Sequence, residues 1–416
     1  MALDATLSRL EVAEESLAHV GGSRRASGSY YTPGDVVAHF WQLFWRHHSI
    51  SNRETALEFI KHAQFVEPSI GSGMFLFGMM RSLANFGIGP IELTNLKFQA
   101  VDINQSALDF VWSRLGELEA EFSVQFSRIA FECSDFLSWV KNRRFDWAVF
   151  IGNPPFVANE KGSRWKNLFA DFLEAMLLSG KWSNISLILP LSICFSRDYR
   201  PLRSLIKHTG MPLSVSCYDN MPDCLFNAGK SESTNTNKAN SQRCAIINLG
   251  GPRAGVLESS ALLRWTAGAR QDFLAKVPNF QDCSGFDISQ QIPRPIDGRL
   301  IDYLREAEDG CSAQSLMCGK GSSPFAVGGV ARNFIGIREY EYGVPGAIPV
   351  QAPGLDLALI LLQIFASDIF YRYWCSFGDG FHVTNSLLCR FPVSKKMLRR
   401  CEENIDLAAN IWRSRE

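Results

Sequence analysis

The chain has 416 residues, of which 46% are hydrophobic, 20% charged and 12% aromatic. This composition excludes a largely disordered or coiled-coil protein and provides for two or three domains with sizeable cores. The 42 basic and 42 acidic side chains cancel overall, but residues 1–140 hold ten Lys and Arg against sixteen Asp and Glu, and residues 195–270 ten against five. A polyanionic partner therefore stays in view, because electrostatic footprints are local.

Residues 1–29 read as an acidic, amphipathic helical segment, without the basic start and apolar core of a signal peptide. Tyr30-Tyr31-Thr32-Pro33 comes next. With GDVVAHFWQLFW behind it, it reads as a helix start with proline in the first turn. From Gln64 to Leu249, short apolar strands alternate with helical stretches. QFVEP, FQAVDI, RIAFEC, FDWAVFIG, SLILP and CAIINLG are the predicted strands. Helices of ten or more residues between strands predict βαβ units, a parallel sheet and an α/β fold. Ligands of such sheets bind outside the carboxyl ends of the strands.

Four of those ends carry chemistry. Glu67-Pro68-Ser69-Ile70-Gly71-Ser72-Gly73 follows the first strand, and its glycines allow the backbone to approach a ligand. Leu76 stands where a dinucleotide fingerprint needs its third glycine, and no Lys-Ser/Thr follows, so neither NAD, FAD nor a P-loop fits. Asp102 ends the second strand, where a carboxylate can accept both hydroxyls of a ribose or cap a helix. Asp135-Phe136 follows the third; the acid can accept from an adenine amine or close a turn.

Asn153-Pro154-Pro155-Phe156 follows the fourth strand and is the sharpest signal. Prolines end the ladder and remove competing N–H groups. The Asn153 side-chain oxygen and the Pro154 carbonyl can accept both hydrogens of one planar amine, and Phe156 offers a stacking face. A conjugated amine is a poor nucleophile because its lone pair is delocalised, and two acceptors draw it towards tetrahedral geometry.

Further along, Ala228 to Gln242 has eight Ser, Thr or Asn in fifteen residues and reads as a mobile loop. Arg197, Arg200, Arg203, Lys207, Lys230, Lys238 and Arg243 are candidates for phosphate contact, or ordinary solvated surface. LDLALILLQIFASDIFYRYW reads as one helix, and a basic helix begins near Lys395. Asp356 and Gln363 interrupt the longest apolar run, so no membrane span is expected. Eleven cysteines without a C-x-x-C pair predict free thiols in a reducing cytoplasm and no metal site. The expected organisation is a helical segment 1–29, a catalytic domain 30–254 and a C-terminal domain 255–416.

The order YYTP, EPSIGSG, VDI, SDF, NPPF resembles the gamma class of N6-adenine DNA methyltransferases, of the TaqI-like restriction-modification type. The likeness covers residues 30–250. It implies a Rossmann-like S-adenosylmethionine-dependent methyltransferase fold with a smaller C-terminal mixed α+β domain that reads the DNA target or serves as a structural cap on the catalytic domain. It implies cofactor contacts from Tyr31, Thr32, Glu67, Ser69, Gly71, Gly73, Asp102, Ile103, Asp135, Phe136 and Asn153. Asn153 and Pro154 would hold the target amine. Phe156 and Phe226 would sandwich the flipped base, and Arg197, Arg200, Lys230, Lys238 and Arg243 would meet the DNA. The implied setting is the bacterial or archaeal cytoplasm, with double-stranded DNA and a partner nuclease or specificity subunit. Glu67 replaces the commoner Asp, and Phe156 the commoner Tyr. NPPF also resembles motifs of enzymes methylating protein glutamine or rRNA guanine, but those usually lack the Tyr-Thr-Pro element and a long C-terminal part. A catalytically silent DNA-binding relative is the other alternative.

Overall fold

The apolar runs with glycine and proline at their ends form the strands of one sheet. A computed structural model describes residues 32–141, 143, 145–180, 182–226, 242–317, 322–331, 333–340 and 346–413, with Leu3, Thr6 and Leu7. Tyr31, Lys230, Lys238 and nearly all of the predicted segment 1–29 lie outside the described residues. The chain divides into two compact units, Met1–Glu258 with Leu263–Gln291, and Ser259–Leu262 with Ile292–Glu416. Leu263–Gln291 thus groups with the first unit, beyond the boundary expected at residue 254.

In the first unit, β1 (Gln64–Glu67), β2 (Lys97–Asp102), β3 (Ile129–Cys133), β4 (Ala148–Gly152) and β5 (Trp182–Pro190) pair in parallel. β6 (Leu213–Tyr218) and β7 (Cys244–Gly250) follow, and β7 runs antiparallel between β5 and β6. With β8 (Leu257–Leu263) and β9 (Phe280–Asp282), the order is β3-β2-β1-β4-β5-β7-β6-β8-β9. This is a Rossmann-like α/β sheet, parallel through β3-β2-β1-β4-β5, as the resemblance implied.

The central strands are apolar on both faces because helices cover both. Every residue of β4 and β7 is buried. Helix Gly34–His47 lays Val37, Phe40, Trp41 and Phe44 against Phe65 and helix Met74–Asn85. Gly78 permits that approach: a Cβ there would stand 2.4 Å from the Val37 side chain. Burial of such an aromatic layer is the main stabilising term, at roughly 25 cal/mol per Å² of apolar surface.

The second unit is mixed α+β. β11 (Ser322–Gly328) pairs antiparallel with β12 (Ile337–Glu339) and β13 (Ala347–Ala352), and the short β10 (Cys311–Ser312) pairs with β14 (Pro392–Val393). Phe325, Val350, Leu361, Phe370, Trp374 and Phe391 share its core. The predicted single helix over 355–374 is two, Leu355–Phe365 and Asp368–Phe377. Ser367 breaks it: the residue is extended, and its hydroxyl accepts the Phe370 N–H at 3.1 Å as an N-cap. Among the described residues no helix is long and apolar enough to cross a membrane.

Candidate active site

The parallel strands bring Glu67, Asp102, Cys133 and Gly152 to one edge of the sheet, and the motif residues follow directly. Glu67 ends β1 and is 1% exposed. The turn behind it is pinned to β2: the Ile70 N–H donates to the Val101 carbonyl at 3.1 Å, and the Gly71 N–H to Asp102 Oδ2 at 3.0 Å. Gly73, in the left-handed region at φ 82°, starts helix Met74–Asn85; a Cβ there would come within 3.0 Å of Phe77 and Val111.

Asp102 has a structural task as well as an open one. Its Oδ1 accepts the Asn104 N–H at 2.9 Å, so its two oxygens join the glycine turn to the start of helix Gln105–Phe122. Asn104, not Asp102, caps that helix. An ionised carboxylate offers about four acceptor sites, so two remain for a ligand. Ile103 beside it is 71% exposed, a large apolar side chain at the mouth of the site.

The third strand departs from the expected roles. Asp135 caps helix Phe136–Lys141: it accepts from the Leu137 N–H at 3.3 Å, the Ser138 N–H at 3.0 Å and the Ser138 hydroxyl at 2.7 Å. Phe136 is 1% exposed. It stacks on Phe172 at 5.1 Å and on Trp139 at 5.9 Å, and meets Phe150 edge-on. It is a core residue, because the helix begun by Asp135 turns the ring inward.

After β4, Asn153 is half-buried, and among the described residues one hydrogen bond orients its amide. Nδ2 donates to Thr32 Oγ1 at 3.2 Å, and Thr32 is itself buried. Oδ1 is shielded from solvent and accepts no hydrogen bond from the described residues. A buried carbonyl oxygen without a donor costs about 1–3 kcal/mol and calls for an explanation. Phe156 lies 6.1 Å from Phe226, with the ring planes at 76°, and 6.3 Å from Phe169 at 81°. Phe156 and Phe226 therefore meet edge to face and do not present the two parallel faces of the expected sandwich. Phe226, 9% exposed, packs with the core.

The predicted basic contacts separate. Arg197 and Arg200 are exposed. Arg203 is buried and donates to the carbonyls of Ile193, Ser196 and Gln290, and burial lowers its pKa to about 10. Arg243 pairs with Asp219 at 2.7 Å and Lys207 with Asp287 at 3.0 Å. Arg203 and Arg243 are thus structural, since their charges answer carbonyls and a buried carboxylate.

A cavity of about 870 Å³ opens at the opposite edge of the sheet, lined by His48, Phe59, Trp147, Trp182, Met211 and Pro252. It is remote from Asn153, which follows β4 at the carboxyl edge. Among the described residues no cluster of His, Cys, Asp or Glu could hold a metal ion.

No protein-family model and no curated protein matches the sequence. Solved structures do resemble the fold. The DrdV–DNA complex gives a TM-score of 0.48 at 14% identity over 78% of this chain and 37% of that one. The Type IIL restriction-modification enzyme MmeI in complex with DNA gives 0.46 at 10% identity, over 91% and 74%. A type I restriction-modification methyltransferase subunit from Streptococcus thermophilus gives 0.37 at 15%, over 59% and 52%. The chain thus spans little more than a third of the DrdV chain. These are likenesses of fold, and the chemistry rests on the residues themselves.

Proposed function

We propose that this chain transfers a methyl group from S-adenosylmethionine to the N6 amine of an adenine flipped out of double-stranded DNA. One observation carries the reading: the Asn153 amide is held by Thr32, and its shielded oxygen, directly after the central strand β4, accepts from none of the described residues.

The residues at the carboxyl edge fit the cofactor. Asp102 retains acceptor sites for ribose hydroxyls, Ile103 offers an exposed apolar face, and Glu67 and Asp102 favour a cation. When bound, S-adenosylmethionine supplies a methyl group already activated on a sulfonium, so no nucleophilic side chain is needed.

The chain's own part is positioning and polarisation. Asn153 Oδ1 and the Pro154 carbonyl accept the two amine hydrogens, which localises the nitrogen lone pair for attack on the methyl carbon. The nitrogen–carbon bond forms as the carbon–sulfur bond breaks with its electron pair left on sulfur, and the methylated amine then releases one proton to solvent. The target atom is out of reach inside a duplex, so the base must leave the stack, and Phe156 offsets part of that cost by stacking. Arg197 and Arg200 meet the DNA backbone. The second unit reads the target, with a nuclease or specificity subunit as partner in a restriction-modification or phage-defence setting.

The test is transfer of labelled methyl from S-adenosylmethionine to DNA, RNA or protein offered separately. Label in DNA supports the reading. Label in RNA or protein assigns the Asn153 acceptor to guanine or glutamine instead, and label in none removes the activity.

A further inference from the structure

Arg270 lies outside every motif, yet each of its N–H groups has an acceptor. Nε donates to Asp35 Oδ2 at 2.6 Å and Nη2 to Asp35 Oδ1 at 3.1 Å. Nη1 donates to Asp223 Oδ2 at 3.2 Å and to the Cys224 carbonyl at 2.7 Å. Nη2 also donates to the Leu225 carbonyl at 2.7 Å. A guanidinium carries five N–H donors in a fixed fork, and here the fork is saturated. The side chain is 13% exposed, that of Asp223 1%. Burial disfavours the charge, but Asp35 and Asp223 outweigh it and hold the guanidinium above its ordinary pKa.

The acceptors belong to the two segments that flank the amine site. Asp35 is in the first turn of helix Gly34–His47, just past Thr32. Cys224 and Leu225 lead into Phe226, in a stretch after β6 without helix or strand, where backbone carbonyls need outside donors. The contacts close a ring. Asn153 bonds Thr32, and the helix that begins two residues later carries Asp35 to Arg270. Arg270 holds Leu225, whose neighbour Phe226 touches Phe156, and Phe156 returns to Asn153 within one loop.

We infer that Arg270 is a positioning residue that fixes Phe226, and through their edge-to-face contact Phe156, relative to the Thr32–Asn153 pair, so that the stacking ring and the amine acceptor share one frame. It acts through Asp35 and Leu225. The inference rests on the proposed reading that Phe156 stacks on the target base.

Two variants of the full chain test it. Arg270→Lys keeps the charge and loses the fork. Asp35→Ala cuts one arm at a partly exposed carboxylate, and decides the matter if Arg270→Lys does not fold. The readouts are S-adenosylmethionine affinity, turnover on unmethylated plasmid DNA per cofactor-binding site, and hydrogen exchange at residues 219–226. The expected result is cofactor affinity within threefold of wild type, at least a tenfold loss of turnover per site, and faster exchange in that segment. Unchanged turnover per site overturns the inference, since a merely structural arginine would lower only the fraction of folded protein. If the wild-type protein methylates no DNA, the functional reading fails by itself. Exchange at 219–226 then decides whether the clamp exists: unchanged exchange in both variants overturns it.

Discussion

Thr32→Val isolates the contact that orients the proposed acceptor. Valine keeps the shape of the buried threonine and removes the hydroxyl that accepts from Asn153 Nδ2 at 3.2 Å. The Asn153 side chain is then free to turn its amide over and present nitrogen where oxygen is needed. A neutral hydrogen bond is worth a net 0.5–1.5 kcal/mol, roughly a two- to tenfold loss in rate. Removing the acceptor itself, in Asn153→Ala, costs about 10²- to 10³-fold, by analogy with loss of an oxyanion-hole donor. The two should not add: on an Asn153→Ala background, Thr32→Val has no amide left to release. The assay is single-turnover transfer of labelled methyl into plasmid DNA at saturating S-adenosylmethionine. Wild-type activity in Thr32→Val, or losses that multiply in the double variant, would refute the orientation argument.

Three other outcomes follow from the same geometry. Asp102→Ala should weaken S-adenosylmethionine binding at least tenfold by calorimetry, because it removes charge-assisted bonds of about 1.5–3 kcal/mol each and frees the Gly71 and Asn104 N–H groups; unchanged affinity would take Asp102 out of the site. Phe156→Ala should cost methylation about 1–3 kcal/mol on paired DNA and less when the target adenine faces a mismatch, where extrusion is cheaper; an equal loss on both substrates would argue for packing alone. Burial holds the His39 pKa down to about 4, its Nδ1 donating to the Leu274 carbonyl and its Nε2 accepting from the Tyr218 hydroxyl. The unfolded chain therefore takes up that proton first as pH falls below about 6.5. Stability is fully present above that pH and declines towards pH 4, by about 2 kcal/mol at pH 5. Urea unfolding of wild type and His39→Gln at pH 7 and pH 5 checks this: the variant should lose about 2 kcal/mol less, and an equal loss would clear His39.

Much of the first unit was legible because its strands are continuous apolar runs punctuated by glycine and proline, as in AVFIG before Asn153. β6 escaped notice because Ser214 and Ser216 alternate with Val215 and Cys217 and resemble a loop. The fold buries Ser214 by bonding its hydroxyl to Glu258 at 3.0 Å, a partner 44 residues away in sequence. The order of the motif residues was readable, and β1, β2 and β4 bring Glu67, Asp102 and Asn153 to one edge. Burial was not readable. Phe136, Arg203 and Arg243 carry side chains suited to a ligand, and only tertiary packing shows that protein groups already occupy them. Arg270 gave no local signal at all, since Asp35 lies 235 positions before it.

In the proposed function, Asn153 presents an adenine amine of DNA to the methyl donor. Nucleoside mass spectrometry of DNA from cells expressing the wild-type chain, or its Asn153→Ala variant, tests it most directly. The expected result is N6-methyl-2′-deoxyadenosine with the wild type and its absence with the variant. Methylated cytosine, or N6-methyl-2′-deoxyadenosine undiminished in Asn153→Ala, would contradict it.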